Sequence, residues 1–133
     1  MSLATALGFR INETQHEKQR SPNNIGDWIP GKPIEIRISA MRDRRHVELV
    51  AVHEIAEYML CKLLRRSDEK AIAFDINYKG EFKEPGDDPR APYHAEHVMA
   101  TFVERIWARI RGVSWSDYSN EVDEIVSSQV RIN

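Results

Sequence analysis

The sequence feature that most constrains the fold is a long helical repeat over residues 44–65. Its apolar stripe recurs at the spacing of one helix face and comprises Leu49, Val52, His53, Ala56, Leu60 and Leu63. His53 thus interrupts an apolar stripe, and Glu57 borders the stripe one turn later. A buried carboxylate needs a hydrogen-bonding partner, a raised pKa or a cation. We therefore expect this helix to bring polar chemistry into the core.

A strand is predicted just before this helix. Residues 33–39 alternate between apolar and polar side chains, which is the pattern of a half-buried strand. The flanking Gly31 and Pro33 favour a short strand at a sheet edge. Residues 1–29 are polar and weakly periodic, and we interpret them as a polar N-terminal segment.

The segment after the long helix has an ambiguous pattern. Ser67 is an N-cap signal, and residues 68–77 fit either a short helix or a strand at 73–78. The Pro- and Gly-rich residues 84–92 predict a loop.

Two further helices are predicted towards the C-terminus. One covers about 92–111 and ends at Gly112, and the other lies within 114–133. On the first of them, the side chains expected to pack on the core are Met99, Val103, Ile106 and Ile110. The chain is thus predicted to be one α+β domain, mainly helical, with residues 34–112 forming the core around a site.

The composition is that of a globular protein. The chain has 133 residues, of which 41% are hydrophobic and 30% charged. No apolar run approaches the roughly 20 residues of a membrane span, and the first residues do not resemble a signal peptide. The single cysteine, Cys61, fits a reducing cytoplasm. A net charge of −2 gives no nucleic-acid signal, and the basic cluster at 42–46 is interpreted as a solvated helix start.

His53, Glu54 and Glu57 form a His-Glu-x-x-Glu motif. His53 and Glu57 lie one above the other on a helix, and Glu54 lies about 100° around the helix from His53. Without a metal, the simplest interpretation is a hydrogen bond between His53 and Glu57, with Glu54 facing solvent. With a metal, Glu54 is placed to act as a general base towards a water whose pKa the ion lowers to about 7.

A second group of donors supports the metal interpretation. His94 and His97 share a face of the next predicted long helix, and Glu104 lies two turns beyond His97. Catalytic zinc sites use three protein ligands and leave one position for water. We therefore predict His53, Glu57 and His97 as ligands, with His94 and Glu104 as alternates. His97 is preferred because it lies deeper in the helix, where Glu104 is expected to orient its ring.

The motif, on a helix preceded by a strand, resembles the minimal zincin core of metallopeptidases over residues 34–64. The resemblance implies Zn²⁺, with His53 as a ligand and Glu54 as the catalytic base. The fifth motif position is ordinarily His in that family, whereas Glu57 occupies it here, and a carboxylate also suits Mn²⁺ or Fe²⁺. A protein or peptide substrate is implied, with the strand at 34–38 as the edge along which it docks.

The chain as a whole is similar to small proteins of phage and prophage genomes. The residues that carry this similarity are the Glu-Pro-Gly-Asp-Asp-Pro run at 84–89, Tyr93-His94-x-x-His97 and the Gly-Val-Ser-Trp run at 112–115. The resemblance implies a phage-related setting and no particular activity. It makes a non-catalytic binding protein, in which a closed metal site joins two helices, the main alternative.

A third hypothesis is a Mg²⁺-dependent nucleotide pyrophosphohydrolase. Such enzymes hold the ion with carboxylate pairs, for which the candidates are Glu54 with Glu57, and Glu121 with Asp123 and Glu124. The predicted strand and the clustered histidines fit this all-helical class poorly.

Overall fold

The protein has an α+β fold in which helices predominate. The computed structural model describes residues 7–132, with side chains described up to residue 128. In chain order the elements are β1 (Phe9–Thr14), β2 (Gly26–Ile29), β3 (Ile34–Ser39), α1 (Arg44–Leu63), α2 (Asp68–Ile76), α3 (His94–Ile110) and α4 (Trp115–Ile132). Short 3₁₀ turns occur at His16–Lys18 and Pro85–Asp87. The expectations for residues 1–6, including the lack of a signal peptide, and for residue 133 lie outside the described residues.

The three strands form one sheet in the order β1-β3-β2. β3 is parallel to β1 and antiparallel to β2, with Trp28 opposite Ile36. The strand predicted at 33–39 is confirmed, but its predicted place at a sheet edge is wrong, because β3 is central and Ile36 is fully buried. Gly31 and Pro33 belong to the turn between β2 and β3, so they signal a hairpin turn and not an edge.

The polar N-terminal segment contains two strands that its sequence pattern does not predict. In β1 only Phe9 is buried, and the apolar alternation is limited to Phe9 and Ile11 before the polar residues 12–14. In β2, Gly26, Asp27 and Trp28 are buried even though two of the three have no apolar side chain. Pairing with β3 forms both strands, and that pairing is not encoded locally.

Local capping chemistry sets the helix boundaries. Asp43 accepts a hydrogen bond from the backbone N–H of Arg45 at the start of α1, and Ser67 accepts one from Lys70 at the start of α2. Residues 68–76 are therefore helical, and the alternative of a strand at 73–78 is wrong. Gly112 follows α3 with φ +66°, a left-handed conformation that favours glycine, which confirms the predicted helix end.

α1 lies between the sheet and α3. Leu49 and Val50 of α1 belong to the same buried apolar cluster as Ile36 and Ile38 of β3. On its other side α1 runs antiparallel to α3, so that Glu48 accepts a hydrogen bond from the Trp107 indole. No helix in the described part of the chain is both long and apolar enough to cross a membrane.

The face of α3 that packs on α1 is not the predicted one. The buried side chains of this helix are mainly polar or small, namely Glu96, His97, Ala100, Glu104 and Ala108. The side chains expected in the core are between 42% and 66% exposed, and these are Met99, Val103, Ile106 and Ile110. The helix therefore turns its polar face inward and leaves an apolar face outside.

The basic cluster at the start of α1 is neutralised by carboxylates. Arg44 makes two hydrogen bonds to Glu13 of β1, and Arg42 bonds Glu124 of α4. These pairs tie the start of α1 to β1 and to α4.

Candidate metal centre

Three donor atoms from α1 and α3 meet at one point between the two helices. His53 Nε2 lies 3.2 Å from Glu57 Oε2 and 3.2 Å from His97 Nδ1, and His97 Nδ1 lies 2.8 Å from Glu57 Oε2. Donors bound to one tetrahedral zinc ion at about 2.0–2.1 Å lie roughly 3.3 Å apart. The triangle therefore has about the size that a single metal ion requires.

Each imidazole is held from its far side by a carboxylate. His53 Nδ1 donates to Glu104 Oε1 at 2.9 Å. His97 Nε2 donates to Asp87 Oδ1 at 3.0 Å, and Glu84 Oε2 lies 3.3 Å from the same nitrogen. Because an ionised carboxylate only accepts, each far nitrogen carries a hydrogen. In a neutral ring the near nitrogen then keeps its lone pair, and both lone pairs point into the triangle.

The third donor is oriented by an indole. Trp28 Nε1 donates to Glu57 Oε1 at 2.9 Å, which leaves Oε2 of the same carboxylate facing the two imidazoles. Trp28 is held in turn by an edge-to-face contact with Tyr58. All three converging atoms thus have a partner behind them, which is the arrangement that fixes ligands around a metal.

The pKa values show how the charges of His53, Glu57 and His97 balance one another. Burial by itself lowers the pKa of an imidazole, but hydrogen bonds to carboxylates outweigh burial and raise the pKa of His53 and of His97 well above the ordinary value. Burial would raise the pKa of Glu57, but the bonds from both histidines lower it to about 2. The carboxylates therefore draw protons, or an equivalent positive charge, into the triangle.

Glu54 lines the same cavity as the three converging donors. It is buried, and burial followed by repulsion from Glu57 raises its pKa well above the ordinary carboxyl value, against the attraction of His53. The cavity has a volume of about 30 Å³, and its lining comes from β2, α1, the 85–87 turn and α3. That volume holds about one or two water molecules. Glu54 is therefore positioned to exchange a proton with a water in this cavity.

Two glycines allow the close approach of the surrounding chain. A Cβ on Gly86 would lie 2.5 Å from Cγ and Nδ1 of His97, so the 85–87 turn packs directly on the imidazole ring. A Cβ on Gly26 would lie 2.8 Å from Cγ of Glu54 and 2.5 Å from Val50. A larger residue at either position would displace a side chain of the site.

A second, half-buried acid closes the cavity on the side of α2. Asp75 accepts a hydrogen bond from the Tyr93 hydroxyl, and both residues line the cavity. Burial raises the pKa of Asp75 to about 7, although the Tyr93 hydrogen bond opposes the rise. Asp75 is thus a second group in this cavity, beside Glu54, that can exchange a proton near neutral pH.

The predicted residues divide into those that meet and those that do not. His53, Glu57 and His97 come together, and Glu54 joins them in the cavity. His94 does not join them, because it lies outside the donor group and does not line the cavity, and its Nδ1 donates to the Gly86 carbonyl at 2.8 Å. Glu104 is present, but the expectation that it orients His97 is wrong. It binds His53 instead, because the antiparallel packing places that residue opposite it.

The carboxylate pairs of the pyrophosphohydrolase hypothesis do not meet. Glu121 accepts hydrogen bonds from the backbone N–H of Arg42 at 2.5 Å and from His46 Nδ1 at 2.7 Å. It lines a separate surface hollow with Arg42 and Glu124. Its structural role is to join α4 to the start of α1.

Several residues of the site have no individual signal in the sequence. Trp28 is an ordinary core aromatic by its pattern, and Asp87 and Gly86 read as loop residues. The turn composition at 84–89, directly before two histidines, is the one local signal that could have indicated a loop over the site.

Comparison of the chain with protein-family profiles, with curated proteins and with solved structures finds no match.

Proposed function

We propose that this protein is a zincin-like, metal-dependent hydrolase with His53, Glu57 and His97 as its metal ligands. The observation that carries the proposal is that one potential ligand atom from each of His53, Glu57 and His97 lies within 3.2 Å of the other two, with each side chain hydrogen-bonded from behind. Two imidazoles and one glutamate form a ligand set of catalytic zinc sites. The carboxylate among them also suits Mn²⁺ or Fe²⁺.

The number of ligands supports catalysis over a purely structural site. Among the described residues three donors meet in the triangle, and His94, the candidate for a fourth, does not line the cavity. Structural zinc sites are closed by four protein ligands, whereas catalytic sites keep one position for water.

Glu54 is the proposed proton carrier. Zn²⁺ in such a site supplies a water with a pKa near 7. Burial and Glu57 raise the pKa of Glu54. A cation in the triangle would lower that pKa again, because its positive charge stabilises the ionised carboxylate. With the ion bound, Glu54 would accept the proton of the attacking water and return it to the leaving group.

The proposed substrate is a peptide that reaches the site from the surface. A cavity of about 30 Å³ admits water but no side chain, so the scissile group has to approach the opening of the cavity. β3 is paired with a strand along both of its edges. β2 has one strand neighbour among the described residues, and it also lines the cavity. We therefore place the docking edge at β2 instead of the strand at 34–38.

Metal analysis is the direct test of the site. Protein purified without a nickel affinity step is expected to contain one equivalent of metal, and His53→Ala and His97→Ala are expected to lose it. Glu54→Gln is the matched control, because it keeps the ligands. It should retain metal and lose hydrolysis of a peptide library that wild type cleaves. Wild-type protein without stoichiometric metal would contradict the site.

The second candidate function is a non-catalytic, metal-stabilised binding protein in a cytoplasmic, phage-related setting. The small volume of the cavity favours this alternative. Metal retained in wild type and in Glu54→Gln, with no hydrolysis by either, would select it.

A further inference from the structure

The outer surface of α3 carries an extended apolar face. We define the α3 face as Val98, Met99, Phe102, Val103, Ile106 and Ile110, together with Met59 and Leu63 of α1. Each of these side chains is between 42% and 76% exposed. Two grooves of about 530 and 590 Å³ lie on either side of Phe102, which lines both. The face is therefore continuous along the helix.

The area of the α3 face exceeds what a monomer usually leaves in water. Eight large apolar side chains exposed by about half leave on the order of 800 Å² of apolar surface, whereas the largest patch of a typical monomer is roughly 300–600 Å². One partner of a standard protein interface buries about 800 Å². The face alone thus provides one full side of a stable interface.

We infer that the α3 face is the interface of a twofold homodimer in which α3 packs antiparallel against α3 of a second copy. Val98, Phe102, Ile106 and Ile110 follow one another every four residues, so they form a single ridge along the helix. Ridges of this spacing interdigitate with an identical ridge in the most common class of helix packing. A twofold axis presents the same ridge on both copies.

The charges beside the ridge are compatible with this pairing. We place the twofold axis at the level of residue 104 along the helix, midway between Phe102 and Ile106. Phe102 then lies opposite Ile106 of the second copy, and Arg109 lies opposite Met99 of the second copy. The arginines of the two copies therefore do not face one another. Arg105 is held to one side by stacking on Trp115 of its own chain at 4.5 Å. The acidic Glu96 and Glu104 of α3 are buried on the opposite face and do not enter the interface.

Sedimentation equilibrium of the full chain over a range of concentrations tests the dimer. Wild type is expected to sediment as a concentration-dependent dimer. Phe102→Glu should raise the dissociation constant at least about 30-fold, because it removes a central aromatic and introduces a charge. Phe82→Glu is the matched control, since Phe82 is 43% exposed in a loop outside the α3 face, and it should leave the constant unchanged. Circular dichroism establishes that both variants are folded.

Disulfide cross-linking tests the antiparallel arrangement. A mixture of Phe102→Cys and Ile106→Cys proteins should form a cross-linked dimer on oxidation with diamide. Val98→Cys alone should not, because the two copies of residue 98 lie about 18 Å apart along an antiparallel pair. The native Cys61 is 1% exposed and does not compete. Cross-linking of Val98→Cys with itself would overturn the arrangement.

Other occupants of the face give different results. A wild-type monomer at all concentrations overturns the dimer. So does a dimer that Phe102→Glu leaves intact. If the protein is monomeric and binds vesicles of phosphatidylserine and phosphatidylcholine through Phe102, the face is a lipid-binding surface and the inference is wrong.

Discussion

Gly86→Ala tests whether the packing of the 85–87 turn on His97 sets the metal affinity. The added Cβ would lie 2.5 Å from both Cγ and Nδ1 of the ring. Carbon atoms in contact prefer about 3.5–4.0 Å, so ring and turn have to separate by about 1 Å. If the turn moves away to relieve this overlap, it carries Asp87 with it, and Asp87 holds the far nitrogen of the His97 ring. Either response displaces the donor atom.

The expected loss of affinity follows from that displacement. Metal–ligand distances hold within about 0.2 Å, so a shift of about 1 Å removes His97 as a ligand. Loss of a residue that merely orients a ligand costs about 10- to 100-fold in metal affinity. Loss of the ligand itself should therefore exceed about 100-fold, or roughly 2.7 kcal/mol. Overpacking of the turn should further lower the free energy of unfolding of the metal-free protein by about 1–3 kcal/mol.

The assay is a titration of the metal-free protein with Zn²⁺ in competition with a chelator of known affinity. Thermal unfolding with and without saturating Zn²⁺ provides a second measurement, because metal that binds the folded state raises the unfolding temperature. Gly31→Ala is the matched control, since its new Cβ has the Pro33 carbonyl at 3.2 Å as its nearest neighbour and lies outside the site. A Gly86→Ala protein that binds Zn²⁺ within about threefold of wild type would refute the reasoning.

Three further substitutions probe the groups around the ligands. Glu104→Gln replaces the anion that holds His53 and should weaken Zn²⁺ binding by about 10- to 100-fold in the same titration, and an unchanged affinity would contradict its role. Trp28→Phe keeps a smaller aromatic ring but leaves Oε1 of Glu57 without its donor. It should lower the free energy of unfolding by about 1–3 kcal/mol in urea denaturation, and a neutral effect would show that this bond is dispensable. Asp75 has a folded pKa of about 7 against an ordinary 3.8, so the wild type loses stability as pH rises between these values. Asp75→Asn should remove that loss and unfold at a higher temperature than wild type above pH 7, and an equal pH dependence of the two proteins would exclude Asp75 as its source.

The elements that follow from local chemistry could be predicted. The helix at 44–63 has a long apolar repeat, and Ser67 and Gly112 mark helix boundaries through capping and a left-handed backbone. His53 and Glu57 could be placed on one face for the same reason, because helical periodicity acts over a few residues. What these residues share is that neighbours in sequence determine their geometry.

The remaining features depend on partners that are distant in sequence. β1 and β2 exist because they pair with β3, and a mostly exposed strand such as β1 leaves only the short alternation of Phe9 and Ile11 to recognise. Trp28 binds Glu57 across 29 residues, and His53 binds Glu104 across 51. Periodicity predicts which residues share a face of one element. It does not predict which faces of two elements meet.

The orientation of α3 illustrates that limit most clearly. Burial of apolar surface alone would turn the ridge of Phe102 and Ile106 inward. The polar face of α3 is inside instead, because its side chains make hydrogen bonds to polar groups of α1 that apolar side chains could not make. Glu104 and His97 bind ligand residues of α1, and Glu96 binds Arg66 just beyond the end of α1 at 2.7 Å.

Turning α3 about its axis would leave the complementary groups of α1 buried without partners, which costs more than an exposed apolar side chain. The same constraint leaves the apolar ridge of α3 exposed to water. The polar interface between α1 and α3 and the exposed apolar face of α3 thus both follow from the orientation of α3 about its axis. The proposed metal centre would stabilise the buried polar face of α3, and the proposed dimer would bury its exposed apolar face.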